Sequence, residues 1–305
     1  MASHSPPALR FLEDGTRTDY PQARVAVLPV PYEATVSYGG GTAGGPAAIL
    51  RASTQLELYD EQLELEPSLC GIWTDPPLDL AAGRGERAVE TVARRFGELM
   101  DAGKWVVMLG GEHSITAGGV RAAADRTRGL VVVQLDAHAD LRDAYEGNRW
   151  SHASVMARCL EIAPVHAIGV RSYSAAEGER IRQGLHGYRL THAWEMGGEG
   201  WIDTALRGLD GRPVYLTVDV DYFDPSLIPA TGTPEPGGGD WWLTLRLLEQ
   251  LFRRATVVAC DVVELAPVAG LHHADFTVAR LVHKLIGFAC GTSFPGPEPG
   301  GGRPA

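Results

Sequence analysis

Short apolar runs alternate with helical patterns along almost all of this chain of 305 residues. The apolar runs are rich in β-branched residues, as strands are, and the segments between them repeat their apolar residues every three or four positions. Within residues 86–101, for example, Val89, Val92, Phe96 and Leu99 would share one face of a helix. Strands that alternate with helices form βαβ units. The sequence therefore predicts an α/β fold of three layers, with helices on both faces of a mainly parallel sheet.

The predicted elements follow one another without a convincing linker. Strands are predicted over residues 24–30, 105–109, 130–135, 164–169, 214–218 and 256–260, and helices near 46, 86–101, 152–161, 175–184, 241–253 and 276–288. We therefore predict a single domain over residues 25–290. An N-terminal arm over residues 1–24 would lie on the surface or on a neighbouring subunit. A flexible tail rich in proline and glycine would occupy residues 291–305.

Two of the predicted strands end in ionisable residues at alternate positions. These residues are Asp136, His138 and Asp140 in VVVQLDAHAD, and Asp219 and Asp221 in VYLTVDVD. Side chains at alternate positions of an extended chain project to the same side. One such run would fit a polar loop after a buried strand equally well. Two runs favour one shared site, because the carboxyl ends of parallel strands meet at the same edge of a sheet.

A sixth candidate, His113, follows the predicted strand at 105–109, which makes two imidazoles and four carboxylates in all. Ligands that are rich in oxygen and lack thiolate suit Mn²⁺, Mg²⁺ or Fe²⁺ better than a structural Zn²⁺. Four negative charges neutralise two divalent ions, so we predict a two-metal centre. Asp136 and Asp219 would then bridge metals about 3.5–4 Å apart, and a water between them would become a hydroxide nucleophile for hydrolysis.

The formal net charge of −11 indicates no nucleic-acid partner and no anionic membrane surface, and it favours a cationic small molecule. The N-terminal sequence has no signal-peptide pattern, and no apolar run is long enough to span a bilayer, so we predict a cytoplasmic location. The cysteines are far apart and form no CxxC pair. We predict buried free thiols at Cys70, Cys159, Cys260 and Cys290.

Three segments resemble the signature segments of the ureohydrolases, the family of arginase, agmatinase and guanidinobutyrase. They are LGGEHSITAGGVRA (109–122), VVQLDAHAD (132–140) and LTVDVDYFDPSLIPATGTPEPGG (216–238), in the order and spacing of that family. The resemblance covers residues 25–290. It implies an arginase-like fold, a homotrimer or homohexamer, two Mn²⁺ per subunit and hydrolysis of a guanidinium group to urea and an amine.

The resemblance also implies a ligand set for each ion. One Mn²⁺ would be held by His113, Asp136, Asp140 and Asp219, and the other by Asp136, His138, Asp219 and Asp221.

Further positions match the family beyond the metal ligands. Glu264 in DVVELAP resembles the glutamate that binds the substrate guanidinium, and His152 in WSHAS resembles the histidine that carries protons to the leaving amine. Asp140 would accept a proton from the attacking hydroxide, and Glu177 is retained as a substrate-binding residue. Without the motifs, a salt bridge for Glu264 and a solvent-exposed helix start for His152 would be the simpler interpretations.

The loop LRDAYEGNRWSHAS lacks the pattern with which arginases bind the substrate carboxylate, and Ser172 and Ser174 stand where arginases carry aspartates. The absence of both features favours a substrate without the α-amino and α-carboxylate groups of an amino acid. The loop resembles that of agmatinases. We therefore predict hydrolysis of agmatine to putrescine and urea, with Arg142 and Asn148 as further substrate contacts.

Three alternatives remain open at this point. The first is 4-guanidinobutyrate as the substrate, whose carboxylate would meet Arg142 or Arg149. The second is a fold-related metal-dependent deacetylase, and the third is a protein without catalytic activity.

Overall fold

The computed structural model describes residues 9–12, 18–81 and 83–293, and within them a single sheet of eight strands forms the middle layer. Its strands in chain order are β1 (Val25–Val30), β2 (Ile72–Thr74), β3 (Trp105–Gly110), β4 (Val131–Leu135), β5 (Val165–Val170), β6 (Tyr188–His192), β7 (Pro213–Asp219) and β8 (Thr256–Val263). Every pair of neighbouring strands is parallel, and the spatial order is β2-β1-β3-β8-β7-β4-β5-β6.

Helices cover both faces of this sheet. They are α1 (Gly45–Ser53), α2 (Glu86–Asp101), α3 (Thr116–Arg126), α4 (Val155–Leu160), α5 (Ala175–Arg182), α6 (Trp201–Ala205), α7 (Trp241–Arg254) and α8 (His272–Ser293). One apolar core lies between the sheet and α1, α6, α7 and α8, and a second lies between the sheet and α2, α3 and α4. Among the described residues, no helix combines the length and the apolar character needed to cross a membrane.

The strand order brings together four strands that are far apart in the chain. β3, β8, β7 and β4 are adjacent in the centre of the sheet, and their carboxyl ends lie at one edge. This is also where the strand order reverses, because β3 and β4 are consecutive in the chain but have two other strands, β8 and β7, between them. Ligand sites of open α/β sheets lie at such a switch point.

The predicted three-layer α/β fold is confirmed, including the parallel sheet and the position of candidate ligands at strand ends. Two edge strands were not predicted. β2 has only three residues, and the residues of β6 are mostly half-buried, so neither carries the continuous apolar run of the central strands. α8 also begins at His272 rather than near residue 276.

The expectation of four free thiols is wrong for one pair, because Cys70 and Cys290 form a disulfide. The segment before Cys70 packs on α8 where Gly287 has no side chain, and a Cβ there would meet Leu63 Cδ1 at 2.6 Å. This close packing brings the two cysteine Cα atoms to 6.3 Å. The other two, Cys159 and Cys260, are buried free thiols, as predicted.

The predicted arm and tail lie partly outside the described residues. Within the arm, Phe11 and Leu12 are buried in the core on the α8 side, and the backbone N–H of Leu12 donates to Ser53 Oγ at 3.0 Å. Residues 291–293 complete α8, and residues 294–305 are outside the description. The arm, domain and tail boundaries stay predictions.

Candidate active site

A buried histidine lies among three carboxylates at the centre of the carboxyl edge. His113 follows β3, and its Nδ1 lies 3.2 Å from Asp136 Oδ2, 3.2 Å from Asp140 Oδ2 and 3.3 Å from Asp219 Oδ2. The imidazole and the carboxylate of Asp136 are essentially inaccessible to solvent. Three acidic groups from two strand ends therefore converge on one ring nitrogen.

A second group of ligands adjoins the first. His138 Nδ1 lies 2.9 Å from Asp221 Oδ2 and 3.8 Å from Asp136 Oδ1. Asp136 therefore belongs to both groups, one with His113 and Asp140 and the other with His138 and Asp221. The structure thus brings together all the predicted metal ligands.

The cluster holds more negative charge than its surroundings neutralise. Burial, together with the neighbouring carboxylates, raises the pKa of Asp136 and Asp219, and it raises that of Asp140 to about 6. Burial would lower the pKa of both histidines, but the surrounding carboxylates outweigh it. The pKa of His113 is held well above its ordinary value, and that of His138 rises to about 11. Bound cations would relieve this repulsion.

The orientation of His113 suits a metal ligand. Its Nε2 lies 2.9 Å from Thr217 Oγ1. With a proton on Nε2, this contact is a hydrogen bond that the Thr217 hydroxyl accepts. Nδ1 is then left with a free lone pair and, although buried, makes no hydrogen bond with good geometry. A buried imidazole of this tautomer beside three carboxylates fits a divalent cation.

Glu264 is placed beside this cluster by the turn that follows β8. Its backbone is left-handed, with φ of 65°, and its Oε1 accepts a hydrogen bond of 2.6 Å from the backbone N–H of His113. Burial raises the pKa of Glu264 to about 8. Asp140 also has a left-handed φ, of 50°. Such strained conformations concentrate at functional sites, because the surrounding structure must hold them in place.

An open cavity of about 280 Å³ lies against the cluster. His138, Asp140, Asp219, Asp221 and Glu264 line its floor, and His152 and Arg142 contribute to its wall. Three tyrosines that sequence analysis did not select also line it, namely Tyr38, Tyr145 and Tyr173. Each lies in a loop, and no periodicity marks it in the sequence. Tyr38 is 87% exposed, which indicates a position at the rim.

The other predicted substrate contacts differ in their surroundings. Asn148 is not among the residues that line this cavity, and its side-chain oxygen accepts from the backbone N–H of Trp150. Glu177 lines the cavity, but its Oε1 accepts from the backbone N–H of Leu141 and its Oε2 from Ser174. These bonds hold the chain next to Asp140.

Two arginines of the same loop differ in whether they face the cavity. Arg142 lines the cavity, and its Nε lies 3.8 Å from Glu177 Oε2. Arg149 is exposed and pairs with Glu161 at 3.0 Å.

The comparison with known families agrees with this geometry. The model of the arginase family matches residues 23–287, which is most of the chain. The chain belongs to the arginase family. The predicted family and the predicted agmatinase-like ureohydrolase are thereby confirmed, since the relatives of this arginase-family enzyme bear ureohydrolase names.

Three relatives illustrate the similarity. The N(1)-aminopropylagmatine ureohydrolase of Synechocystis sp. is 42% identical over 287 residues, which cover 92% of this chain and 93% of the relative. The agmatinase of Bacillus anthracis is 33% identical over 278 residues, with 88% and 92% covered. The solved agmatine ureohydrolase of Thermoplasma volcanium has a TM-score of 0.82 at 31% identity, and the match covers 93% of this chain and 94% of that one.

Proposed function

We propose that this arginase-family enzyme hydrolyses the guanidinium group of agmatine or of its N1-aminopropyl derivative, releasing urea and a polyamine. One observation carries the proposal. The buried carboxylate of Glu264 shares a cavity with a cluster suited to divalent cations. A guanidinium is a planar cation that a carboxylate binds through paired hydrogen bonds. Burial raises the pKa of Glu264, and a guanidinium bound beside it would favour its charged form.

Two Mn²⁺ ions per subunit are the cofactors we propose. His113, Asp136, Asp140 and Asp219 would hold one ion, and Asp136, His138, Asp219 and Asp221 the other. Oxygen-rich sites without thiolate favour Mn²⁺ over softer metals. When bound, the ions would supply Lewis acidity and a water whose pKa is lowered towards neutrality.

The protein's own residues would then act in sequence. Glu264 orients the guanidinium so that its carbon faces the cluster. Asp140 accepts a proton from the water that attacks this carbon. His152 protonates the amine nitrogen as its bond to that carbon breaks. Urea and a free amine are the products.

The chemistry of the cavity and the relatives favour an agmatine skeleton. Arginases carry aspartates where Ser172 and Ser174 stand here, and Ser174 caps α5 by accepting from the backbone N–H of Glu177. The higher identity to the aminopropylagmatine enzyme, 42% against 33% for the agmatinase, supports the N1-aminopropyl derivative as the better substrate. A second candidate, 4-guanidinobutyrate, is favoured by Arg142, because this cation lines the cavity and lies 3.8 Å from its nearest carboxylate, Glu177.

A urea assay separates these candidates. Purified protein loaded with Mn²⁺ is incubated with agmatine, N1-aminopropylagmatine, 4-guanidinobutyrate or arginine, and kcat/KM is measured for each. We expect the two agmatine compounds to be cleaved, the aminopropyl one faster, and arginine to be inert. Cleavage of 4-guanidinobutyrate alone would contradict the proposed substrate. If no compound releases urea, the proposed reaction is wrong. A trimer or hexamer stays a prediction for light scattering to test.

A further inference from the structure

The end of β1 and the loop that follows it are hydrogen-bonded to the two residues that precede His113. Gly111 donates its backbone N–H to Val30 O at 2.9 Å, and Glu112 donates to Tyr32 O at 2.8 Å. A Cβ on Gly111 would lie 1.9 Å from Tyr32 O, so only glycine allows this approach. The loop and the start of the metal cluster therefore form one rigid unit.

The side chain of Glu112 extends this attachment to Thr35. The carboxylate is fully buried, and its Oε2 accepts the backbone N–H groups of Ala34 and Thr35 at 2.5 and 2.6 Å. Its Oε1 accepts the hydroxyls of Thr35 and Ser114 at 2.8 and 2.5 Å. These four donors occupy all four acceptor sites of the carboxylate. Glu112 thus anchors the loop rather than binding a ligand.

The hydroxyl of Thr35 also contacts His152. Its oxygen lies 3.1 Å from His152 Nδ1 and accepts the backbone N–H of His152, also at 3.1 Å. A hydroxyl has one proton and two lone pairs. Because Glu112 cannot donate, the hydroxyl proton points to Glu112, and both lone pairs face His152. The contact with Nδ1 is then a hydrogen bond only if Nδ1 carries the proton.

We propose that Thr35 is a positioning residue that fixes the tautomer and orientation of His152. With the proton on Nδ1, the neutral ring keeps a free lone pair on Nε2, where it takes up one proton from solvent. The imidazolium then gives that proton to the amine nitrogen as the C–N bond breaks, and the ring returns to its neutral form. The delivery of this proton rests on the proposed function, but the tautomer and orientation do not.

A double-mutant cycle tests the proposal. Thr35→Val keeps the shape and removes the hydroxyl, Thr35→Ser keeps the hydroxyl, and each is made with His152 intact and with His152→Asn. We expect Thr35→Val to lower kcat about 10- to 100-fold, while KM stays nearly constant. The loss is no larger than the lower end of the range of about 10²–10⁴ that proton transfer contributes, because His152 itself is still present. Thr35→Ser should restore most of kcat. With His152→Asn in place, Thr35→Val should have no further effect, and an undiminished loss there would overturn the proposal.

Crystal structures of wild type and Thr35→Val, both loaded with Mn²⁺, give a readout that does not depend on activity. We expect the His152 ring to turn away from residue 35 in the variant and to keep its orientation in Thr35→Ser. An unchanged ring in Thr35→Val would refute the positioning role. If the wild-type protein releases no urea from any guanidino compound, the proposed function fails, yet this comparison still decides the role of Thr35. Should Thr35→Val fail to fold, Thr35→Ala serves in its place.

Discussion

The backbone N–H of His113 donates a hydrogen bond of 2.6 Å to Oε1 of Glu264. The bond joins a candidate metal ligand after β3 to the candidate guanidinium-binding residue after β8, 151 positions later in the chain. The other carboxylate oxygen of Glu264, Oε2, takes no part in this hydrogen bond. Under the proposed function, recognition of the substrate and assembly of the cluster are therefore coupled through one peptide group.

Glu264→Gln should separate these two roles. Glutamine still accepts from His113, so we expect the fold and the metal content to be retained. The charge that pairs with the guanidinium is lost, and hydrogen bonds to charged groups contribute about 1.5–3 kcal/mol, so kcat/KM should fall about 10- to 100-fold. Urea release and metal analysis measure the two effects. Glu161→Gln on the surface is the control, and an unchanged kcat/KM in Glu264→Gln would contradict the assignment.

Substitution of Asp136 should remove more of the bound ions than substitution of Asp221. Asp136 is shared by both ligand groups, whereas Asp221 belongs to one. We expect Asp136→Asn to bind almost no Mn²⁺ and Asp221→Asn to keep about one ion of the two in a two-metal site. Mass spectrometry of the dialysed proteins measures the content. Asp143→Asn, on the exposed part of the neighbouring loop, should keep both ions. Equal metal loss in the first two variants would argue against a shared carboxylate.

The metal-free protein should lose stability as the pH rises. Folding raises the pKa of Asp140 to about 6 and that of Glu264 to about 8. The folded chain therefore binds more protons than the unfolded chain above the ordinary carboxyl pKa of about 4. Stability is then present at low pH and is lost as the pH passes through the raised values. The raised pKa values of His113 and His138 act in the same direction.

Thermal unfolding in the presence of a chelator checks this dependence. We expect Tm to be several degrees lower at pH 8 than at pH 5, and Mn²⁺ to abolish most of the difference. Glu264→Gln removes one titrating group and should flatten the slope. A metal-free Tm that climbs steadily between these two pH values would show that the cluster does not govern stability.

Asp60 and Lys284 form a buried ion pair far from the cavity. Lys284 Nζ lies 2.7 Å from Asp60 Oδ1, and the side chains are 2% and 0% exposed. Asp60→Ala leaves a buried charge without its partner, which typically costs about 3–5 kcal/mol in the free energy of unfolding. Denaturant unfolding measures the loss. The double variant Asp60→Ala/Lys284→Met should recover part of it, and a cost below about 1 kcal/mol for Asp60→Ala would contradict a desolvated pair.

The sequence predicts those parts of the site that local geometry determines. Asp136, His138 and Asp140 follow from the alternation of an extended chain, which needs no knowledge of the rest of the fold. The role predicted for Glu264 rests on family resemblance, because a lone glutamate after a strand has no distinguishing pattern. Its buried position next to His113 depends on the pairing of β3 with β8.

The parts that could not be predicted depend on contacts between distant segments. Thr35 looks like an ordinary loop residue, and only the fold sets it between the carboxylate of Glu112 and the imidazole of His152. The order of the central strands is likewise a result of packing many helices at once. The disulfide between Cys70 and Cys290 belongs to the same class, with 220 positions between its cysteines.

The place of β8 between β3 and β7 has a consequence for synthesis of the chain. β8 is the last strand along the part of the chain that the structure describes, and it joins β2-β1-β3 to β7-β4-β5-β6. Before it inserts, the strands that precede it in the chain can pair only as two separate groups. His113 follows a strand of the first group and the other five candidate ligands follow strands of the second, so we expect the complete cluster to assemble only when β8 is in place.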